Sequence, residues 1–365
     1  MIKNWTRSRV LTLTLAATVL PSFGIPLSPV DPLNRPALQI KRPTESALMD
    51  VARAGSRLIA VGEHGIVLLS DDDGQRWRQV PVPVSVTLTG VSFATNSNVW
   101  AVGHSGVVLN SENGGETWTR RLDGIQVAKL AVETARAEGG TEAMTKRRLL
   151  TAQQLEIDGP DKPFFGIHFD DPQRGFIVGA YGLILYTTNG GKSWLPWMNH
   201  VDNPKSLTIY AIRRIKGVHY LAGEQGLFCR THNESVEFEC VTTPFEGSYF
   251  ALSAGPRDEV IVAGLLGNAF ATTDKGDHWQ KLKFGNGSSL AAISILGDKR
   301  VVFGSQRGEL FGGYELADLQ PLPIVSKPVT SLIETSNGSL VIVGPLGLQI
   351  IPTLETKREP AKAPQ

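Results

Sequence analysis

The sequence predicts an all-β protein, a seven-bladed β-propeller built from four-stranded antiparallel blades. A repeated stretch carries this prediction: a Gly-x-x-Gly turn between apolar β-formers, followed by Ser/Thr-x-Asp/Asn-x-Gly-x-x-Trp. The turn occurs seven times, and a period of about 40 residues is typical of a propeller blade. The first glycines of the seven turns are Gly62, Gly103, Gly179, Gly223, Gly264, Gly304 and Gly344.

One step in this series is too long. Successive first glycines are 41, 76, 44, 41, 40 and 40 residues apart, so an insertion follows the second repeat. The inserted residues, about 123–163, are rich in Ala, Leu, Glu, Lys, Arg and Gln, which favour helices. Gly139 and Gly140 divide the segment, and Thr141 can cap its second half. We therefore expect a helical hairpin between blades 2 and 3.

Short apolar runs between Gly, Asn, Asp and Ser clusters indicate four strands in most repeats. The expected blades are residues 46–82, 88–122, 164–201, 206–244, 247–284, 288–322 and 328–352. The last repeat runs into a charged tail and lacks a fourth strand. A proline-rich arm, residues 25–45, precedes the first blade, and its residues 37–40 alternate apolar and polar. We expect this arm to supply the missing strand and close the ring.

The second half of the repeat resembles the Asp-box, also called the BNR repeat. Four good copies occur, and they are Ser70–Trp77, Ser111–Trp118, Thr187–Trp194 and Thr272–Trp279. A degenerate copy begins at Thr231 and lacks the glycine and the tryptophan. Short polar side chains can bond backbone groups within such a turn, and the tryptophan buries its ring between sheets. We therefore expect structural roles for Asp72, Asn113, Asn189 and Asp274.

The two ends of the chain predict export and a single domain. Residues 1–24 combine a basic start, an apolar run at 10–20 and small residues for cleavage, as a secretory signal does. An uncleaved anchor is the alternative, although the run is short for a membrane span. Residues 353–365 are predicted to be a disordered tail, so the propeller occupies residues 46–352. The net charge is +1, which excludes a strong field for nucleic acid.

The only two cysteines of the chain are Cys229 and Cys240, and both lie in the fourth repeat. They flank the degenerate Asp-box symmetrically, so a hairpin would place them on facing strands. After export to an oxidising compartment, we expect them to form a disulfide. This bond would replace the glycine and tryptophan that this copy lacks.

Seven turns followed by Asp-boxes, behind an export signal, resemble the photosystem II stability/assembly factor family. The resemblance covers roughly residues 46–352. It implies a non-enzymatic propeller that acts as an assembly chaperone or scaffold for a membrane protein complex, without a cofactor. It also implies a monomer in the periplasm, or in the thylakoid lumen of a phototroph, that is at most peripheral to the membrane. The client is either a photosystem or another envelope complex, such as a transporter.

The same repeat pattern predicts one face for binding a partner. In an antiparallel blade, the turn between strands two and three shares a face with the link from strand four to the next blade. The Gly-x-x-Gly turns and the helical hairpin should therefore share a face, opposite the Asp-boxes. Their variable residues are the candidate partner-binding residues, namely Glu63, His64, His104, Ser105, Tyr181, Glu224, Gln225, Gln306, Arg307, Lys146, Arg147 and Arg148. For the three hairpin cations the alternative is a solvated helix face.

Two other functions are weighed against a scaffold. Asp-box propellers include glycoside hydrolases, sialidase-like or xyloglucanase-like, which need a carboxylate pair at a set separation. Glu63 and Glu224 could face a central cleft, but they belong to blades 1 and 4 and no partner is visible. A metal site at His64 and His104 lacks a third ligand, and we expect no metal. No catalytic residue is predicted.

Overall fold

The computed structural model describes residues 31–232, 236–284, 287–324 and 326–352. The predicted signal peptide at 1–24, the first residues of the arm at 25–30, the predicted tail at 353–365 and Asn233 of the degenerate Asp-box lie outside these residues. The described residues form 27 strands and two α-helices. They contain no helix that is both long enough and apolar enough to cross a membrane.

The strands form seven antiparallel sheets, in which strands adjacent in sequence are adjacent in space. The first sheet contains β1 (Leu48–Ala54), β2 (Arg57–Gly62), β3 (Val67–Ser70) and β4 (Arg78–Gln79). The second contains β5 (Leu88–Phe93), β6 (Val99–Gly103), β7 (Val108–Ser111) and β8 (Thr119–Leu122). The third contains β9 (Phe164–Phe169), β10 (Gly175–Gly179), β11 (Ile184–Thr187) and β12 (Leu195–Pro196). The fourth contains β13 (Ile209–Ile215), β14 (Val218–Gly223), β15 (Phe228–Thr231) and β16 (Phe238–Cys240).

The remaining sheets continue the same order, but the seventh has only three strands in the described part of the chain. The fifth contains β17 (Tyr249–Ala254), β18 (Val260–Gly264), β19 (Ala269–Thr272) and β20 (Gln280–Leu282). The sixth contains β21 (Leu290–Ile295), β22 (Val301–Ser305), β23 (Leu310–Gly313) and β24 (Gln320–Pro321). The seventh contains β25 (Ser331–Glu334), β26 (Leu340–Gly344) and β27 (Gly347–Ile351).

The first strand of each sheet contacts the first strands of both neighbouring sheets, and β25 contacts β1. We call these the inner strands, and the fourth strands the outer strands. The core lies between successive sheets. Ile59 and Val99 share one buried cluster of the first two sheets, while Leu48 and Val343 share a cluster of the first and last. This packing of sheets around inner strands is that of a β-propeller.

Two helices, α1 (Gly124–Ala137) and α2 (Glu142–Asp158), follow β8 and precede β9. The Asp123 carboxylate accepts from the Gln126 N–H, and the Gln126 side chain bonds back to the Asp123 N–H, so α1 begins with a capping box. Thr141 caps α2, as its sequence predicts, by accepting from the Met144 N–H at 3.3 Å. Small and branched residues of α1 pack against Ala152 of α2.

The described part of the arm, residues 31–45, forms no strand of the seventh sheet. Its residues 37–40 form no strand and lie against the first sheet instead. The Ala37 N–H bonds the Val82 carbonyl at 3.0 Å, and the Ile40 N–H bonds the Gln79 side chain at 3.0 Å. Prolines at 36 and 43 remove backbone donors that a ladder strand would need. The ring closes instead through direct packing of the first sheet on the seventh.

The Asp-boxes form the turns between the third and outer strands. In the first sheet, Ser70 Oγ accepts from the Gly74 N–H at 2.9 Å, and Asp72 accepts from the Arg76 N–H at 2.9 Å. The indole of Trp77 donates to the Gly74 carbonyl at 2.8 Å. Asn113, Asn189 and Asp274 accept the corresponding backbone N–H in the other three good copies. All four candidate residues therefore hold turns together.

Cys229 and Cys240 lie directly opposite each other on β15 and β16. A disulfide joins them. Cys229 is fully buried in the cluster between the third and fourth sheets, where Phe238 also packs. The bond thus fastens the outer strand of the fourth sheet, in which the Asp-box is degenerate.

Candidate partner-binding surface

In five sheets, the turn between the second and third strands is a single 3₁₀ turn whose last two residues, the second of them a glycine, have positive φ. A Cβ on Gly103 would lie 2.2 Å from the Thr87 carbonyl oxygen, so the backbone of the preceding link comes too close for a side chain. The second residue between the glycines has φ of 52–57° in five turns. These residues are His64, Ser105, Tyr181, Gln225 and Leu266.

This conformation turns the side chain of that residue away from the sheet. Tyr181 and Leu266 are each 64% exposed. His64 and Gln225 are also exposed, while Ser105 is half-buried. His104, which precedes Ser105, is exposed as well. The turns therefore present a different side chain from each sheet on a backbone that is the same in all five.

The sixth turn begins one residue later than the glycine count indicates. Ser305, not Gly304, takes the place of the first glycine, since its N–H bonds the Glu309 carbonyl as the Gly62 N–H bonds the Ile66 carbonyl. Ser305 Oγ also accepts from the Arg307 N–H at 3.2 Å. Gln306 and Arg307 are the exposed residues of this turn.

Glu63 and Glu224 are held by their own sheets. The Glu63 carboxylate accepts from the Ala47 N–H at 3.0 Å, just before β1. The Glu224 carboxylate accepts from the Thr208 N–H at 3.1 Å, just before β13. Both acids therefore fix the start of an inner strand, which is a local structural role that their turn position did not reveal.

The three hairpin cations do not share one environment. Lys146 and Arg147 are exposed on α2. Arg148 is only 14% exposed and pairs with Glu138 at 2.7 Å. Its guanidinium also donates to the Gly139 carbonyl at 2.6 Å. The prediction that Arg148 faces a partner is therefore wrong, because this side chain joins the two helices at their connecting loop.

Both ends of the hairpin lie beside Gly-x-x-Gly turns. A Cβ on Gly106 would lie 2.6 Å from Gly124 Cα at the start of α1. At the other end, the Lys162 ammonium lies over the Tyr181 ring, 5.2 Å from its centroid. Lys162 is buried and pairs with Asp158 at 3.6 Å and with Asp161. Burial opposes its charge, but the two carboxylates raise the pKa of Lys162, so it remains a cation beneath the tyrosine.

Three aromatic side chains that sequence reasoning missed extend this surface. Phe165, Tyr210 and Phe250 are the second residues of the inner strands of sheets three, four and five. Their ring centroids lie 5.3 and 5.4 Å apart in succession. Each sits at a β-bulge that leaves it out of register with the second strand. We call these three residues the aromatic arc.

The aromatic arc adjoins the turns. All three residues are half-buried. Burial, together with the nearby charge of Glu224, raises the pKa of Tyr210. Glu224 of the fourth turn bonds the Thr208 N–H, two residues before Tyr210, so this inner strand starts beside the turn. The sequence signal was an aromatic residue just after the first core residue of three successive repeats. The other inner-strand bulges in the described residues carry Met49, Thr89 and Ala291, so the aromatic bulges are confined to sheets three to five.

Apolar turn residues were also missed. Leu265 and Leu266 are 38% and 64% exposed, and Leu346 in the seventh turn is 58% exposed. Both turns fit the Gly-x-x-Gly pattern, but the sequence prediction selected only polar and aromatic turn residues as candidates. Single exposed apolar side chains are normal on protein surfaces, so these leucines add to the surface without defining it.

A cluster of titratable groups joins the third and fourth sheets away from these turns. The Asp170 carboxylate lies 3.3 Å from His168 Nε2 and 2.8 Å from His219 Nε2. Burial raises the pKa of Asp170, but the two imidazoles hold it well below its usual range. Burial lowers the pKa of His168. Within the described ranges, no three His, Cys, Asp or Glu side chains are arranged to hold a metal ion.

Comparison with known proteins identifies the family. The family described as photosynthesis system II assembly factor YCF48 matches residues 69–136 and 145–319, well over half of the chain. The chain belongs to this family. The match confirms the resemblance inferred from the turns and Asp-boxes, and the YCF48 family is one of assembly factors.

Two YCF48 relatives show how far the similarity extends. The photosystem II assembly lipoprotein Ycf48 of Picosynechococcus sp. is 27% identical over 174 residues, which are 47% of this chain and 51% of that protein. The protein of the same name from Synechococcus sp. is 22% identical over 116 residues, 31% of this chain and 35% of the relative. The matched region thus covers about half of one relative and a third of the other.

Solved structures support the same fold. "YCF48 bound to D1 peptide" superposes with a TM-score of 0.63 at 15% identity, covering 88% of this chain and 100% of that one. YCF48 from Cyanidioschyzon merolae gives 0.62 at 16% identity, covering 87% and 98%. The WD40 β-propeller domain of Doa1 gives 0.60 at 13% identity, covering 89% and 98%. At these identities the likeness concerns the β-propeller fold.

Proposed function

We propose that this protein is a non-enzymatic, exported seven-bladed propeller that assembles or stabilises a membrane protein complex. Each of the seven sheets is one blade, and the helical hairpin is inserted between blades 2 and 3. Membership of the assembly-factor family carries the proposal. The client is a protein segment exposed at the membrane surface, and the propeller acts as a monomer that is peripheral to the membrane.

The partner-binding surface runs from the hairpin across the turns to the aromatic arc. Tyr181 links the two parts, since Lys162 at the end of the hairpin lies over its ring. The turn at Ala180–Gly182 also contacts β13, on which Tyr210 lies. Half-buried aromatic rings fixed on strands lose little entropy when they bind, which is why aromatic residues dominate interface energetics. A related propeller described as bound to a D1 peptide supports a peptide as the form of the client.

Export is supported by two observations. Relatives in the family are named lipoproteins, which are exported proteins. The Cys229–Cys240 disulfide suits an oxidising compartment. The periplasm, or the thylakoid lumen in a phototroph, is accordingly where we propose that the protein works.

The experiment that tests this function is recovery of a membrane complex from detergent-solubilised envelope with the tagged protein. Tyr210→Ala and Tyr181→Ala should each reduce recovery at least fivefold, while each variant remains folded and its unfolding temperature falls by only a few degrees. The matched control is Tyr314→Phe in the sixth sheet, which should recover the complex normally. Loss of recovery in the control alone, or full recovery in both surface variants, would contradict the proposed surface.

A further inference from the structure

The outer edge of the seventh sheet differs from those of the other six. In the described part of the chain, β27 pairs with β26 alone, whereas each other third strand also pairs with an outer strand. The third strands of the other sheets are almost entirely buried. In β27, by contrast, Leu348 and Gln349 are half-buried and Ile350 is 40% exposed. An unpaired strand edge is a template for another strand.

The other sheets show which backbone groups the missing strand would bond. In four of them, a backbone N–H of the outer segment donates to a carbonyl of the third strand. The accepting residue is the one paired with the next-to-last residue of the second strand. These bonds run from Val80 to Val67, Trp197 to Ile184, Val241 to Phe228 and Leu322 to Leu310, at 2.8–3.0 Å. Leu348 is the equivalent residue of β27, because it lies opposite Val343.

A lysine occupies this position in the seventh sheet. The Lys327 ammonium donates to the Leu346 carbonyl at 2.9 Å and to the Leu348 carbonyl at 3.3 Å. The carbonyl of Val343 points the other way, towards the inner strand, since it accepts from the Thr330 N–H at 2.9 Å. Because Val343 bonds the inner strand, it forms a non-hydrogen-bonded pair with Leu348, which lies opposite it. The N–H and C=O groups of Leu348 therefore point away from β26, and those of Ile350, two residues later, do the same. Lys327 therefore donates to the carbonyl that, in four other sheets, accepts a backbone N–H from the outer segment.

We propose that the edge of β27 is a docking site for an extended segment of a partner protein, which adds to the seventh sheet as its fourth strand. The incoming strand runs antiparallel to β27, and its N–H displaces Lys327 from the Leu348 carbonyl. A short segment suffices, since β3 and β4 pair through two residues on each strand. Main-chain bonds supply most of the affinity in this mode of binding, so many sequences fit.

The side chains around the edge favour a particular segment. Ile350 offers an exposed apolar side chain, which a β-branched or other apolar residue on the incoming strand would cover. Lys41 and Arg42 are exposed just before Thr44 and Glu45, whose backbone packs on Gly347 at one end of the edge. An acidic residue at that end of the segment complements Lys41, whereas Arg42 already pairs with Glu45 at 3.3 Å. The site adjoins the seventh turn at Leu346 but lies on a different sheet from Tyr181 and the aromatic arc, so it does not depend on the client proposed for them.

Matched synthetic peptides test this site. The probe is a fluorescent nine-residue peptide of alternating threonine and valine with an aspartate at each end, and its control has every central amide N-methylated. The full-length protein should bind the probe at least tenfold more tightly than the methylated control. Hydrogen exchange should slow at Leu348 and Ile350 in the complex but not at Ala269–Thr272, which the outer strand β20 covers. Equal binding of the two peptides, or slowing elsewhere only, would overturn the proposal.

The free protein and one substitution provide further tests. Before peptide is added, the amides of Leu348 and Ile350 should exchange at least tenfold faster than those of the equivalent residues of β19, Ala269 and Ala271. Protection already equal to that of β19 would mean that the edge is filled by another part of the chain or by a second copy, and would overturn the proposal. Lys327→Met should bind the probe severalfold more tightly, while the control Lys299→Met should leave its affinity unchanged. Unchanged affinity in Lys327→Met would refute the displacement of this lysine.

Discussion

Asp50 on β1 accepts a hydrogen bond of 2.8 Å from the Ser331 hydroxyl on β25, which joins residues 281 positions apart. The same carboxylate accepts from the Val91 N–H of the second sheet at 3.0 Å. One side chain therefore ties the first sheet to the second and to the seventh. This polar link reinforces the apolar packing between the first and seventh sheets.

Substitutions at this seam should lower the free energy of unfolding. Ser331→Ala removes one hydrogen bond to the buried Asp50 carboxyl and should cost about 1–2 kcal/mol. Asp50→Ala also leaves the Val91 N–H without its acceptor and should cost about 3 kcal/mol. The double variant should be less destabilised than the sum, because the two residues share a bond. Urea unfolding measures all three, with Ser253→Ala on β17 as a control that should change little.

The hairpin offers a comparison between two adjacent arginines. Arg148→Glu places a negative charge beside Glu138 and removes the bond to the Gly139 carbonyl, so local stability of the helices should fall by about 2–3 kcal/mol. Arg147→Glu should not change it, since Arg147 is exposed. Hydrogen exchange of the amides in α1 and α2 reports local opening. Equal exchange in the two variants would show that Arg148 does not join the helices.

The sequence predicted the repeats because their turns depend on local chemistry. Gly103 is required by a backbone approach of 2.2 Å, and Asp72 and Trp77 bond groups within four residues of themselves. Such constraints recur at fixed spacing and can be read directly. The β-propeller that they indicated agrees with the solved relatives.

Features that depend on contacts between distant segments could not be predicted in this way. The arm around Ala37 follows the first sheet because of bonds to Val82 and Gln79, which no local pattern records. Arg148 belongs to a run of three cations. It is the one that pairs with Glu138 because the loop between the helices brings Glu138 next to it, and the sequence does not show this. The aromatic arc arises because bulges at equivalent positions bring Phe165 and Tyr210 side by side, although 45 positions separate them in sequence.

Two aromatic residues should separate stability from binding. Trp118 is buried and donates to the Gly115 carbonyl at 2.9 Å, so Trp118→Ala should destabilise the protein by about 3–5 kcal/mol. Tyr181 is largely exposed, and Tyr181→Ala should cost no more than about 1 kcal/mol, chiefly through the lost contact with Lys162. Thermal unfolding gives both values. A large loss in Tyr181→Ala would mark this residue as structural, contrary to its proposed role in binding.

The disulfide should contribute to stability in the exported protein. Its loop spans 11 positions, and in the chain-entropy account closing such a loop contributes roughly 2–3 kcal/mol. The double variant Cys229→Ala with Cys240→Ala should lose about this amount in urea unfolding. Peptide mapping of unreduced protein from the oxidising compartment should recover the two cysteines in one linked fragment. Two separate free thiols would contradict the bond.

The Asp-boxes predict a specific dependence of stability on pH. Bonds from the Arg76 side chain and its backbone N–H lower the pKa of Asp72 from 3.8 to about 2. Because the folded protein holds the carboxylate ionised where the unfolded chain would protonate it, Asp72 stabilises the fold above about pH 4. That stabilisation should disappear as the pH falls from about 4 to 2.

Asp72→Asn tests this dependence because Asn113 and Asn189 fill the same position in other copies, so the turn can form with an amide. The variant should be less stable than the wild type at pH 7, and the two proteins should converge near pH 2. Urea unfolding at several pH values measures the difference, and the control Asp202→Asn on an exposed loop should show no such convergence. A gap between wild type and Asp72→Asn that stays constant from pH 7 to pH 2 would mean that the turn depends on the shape of the side chain and not on its charge.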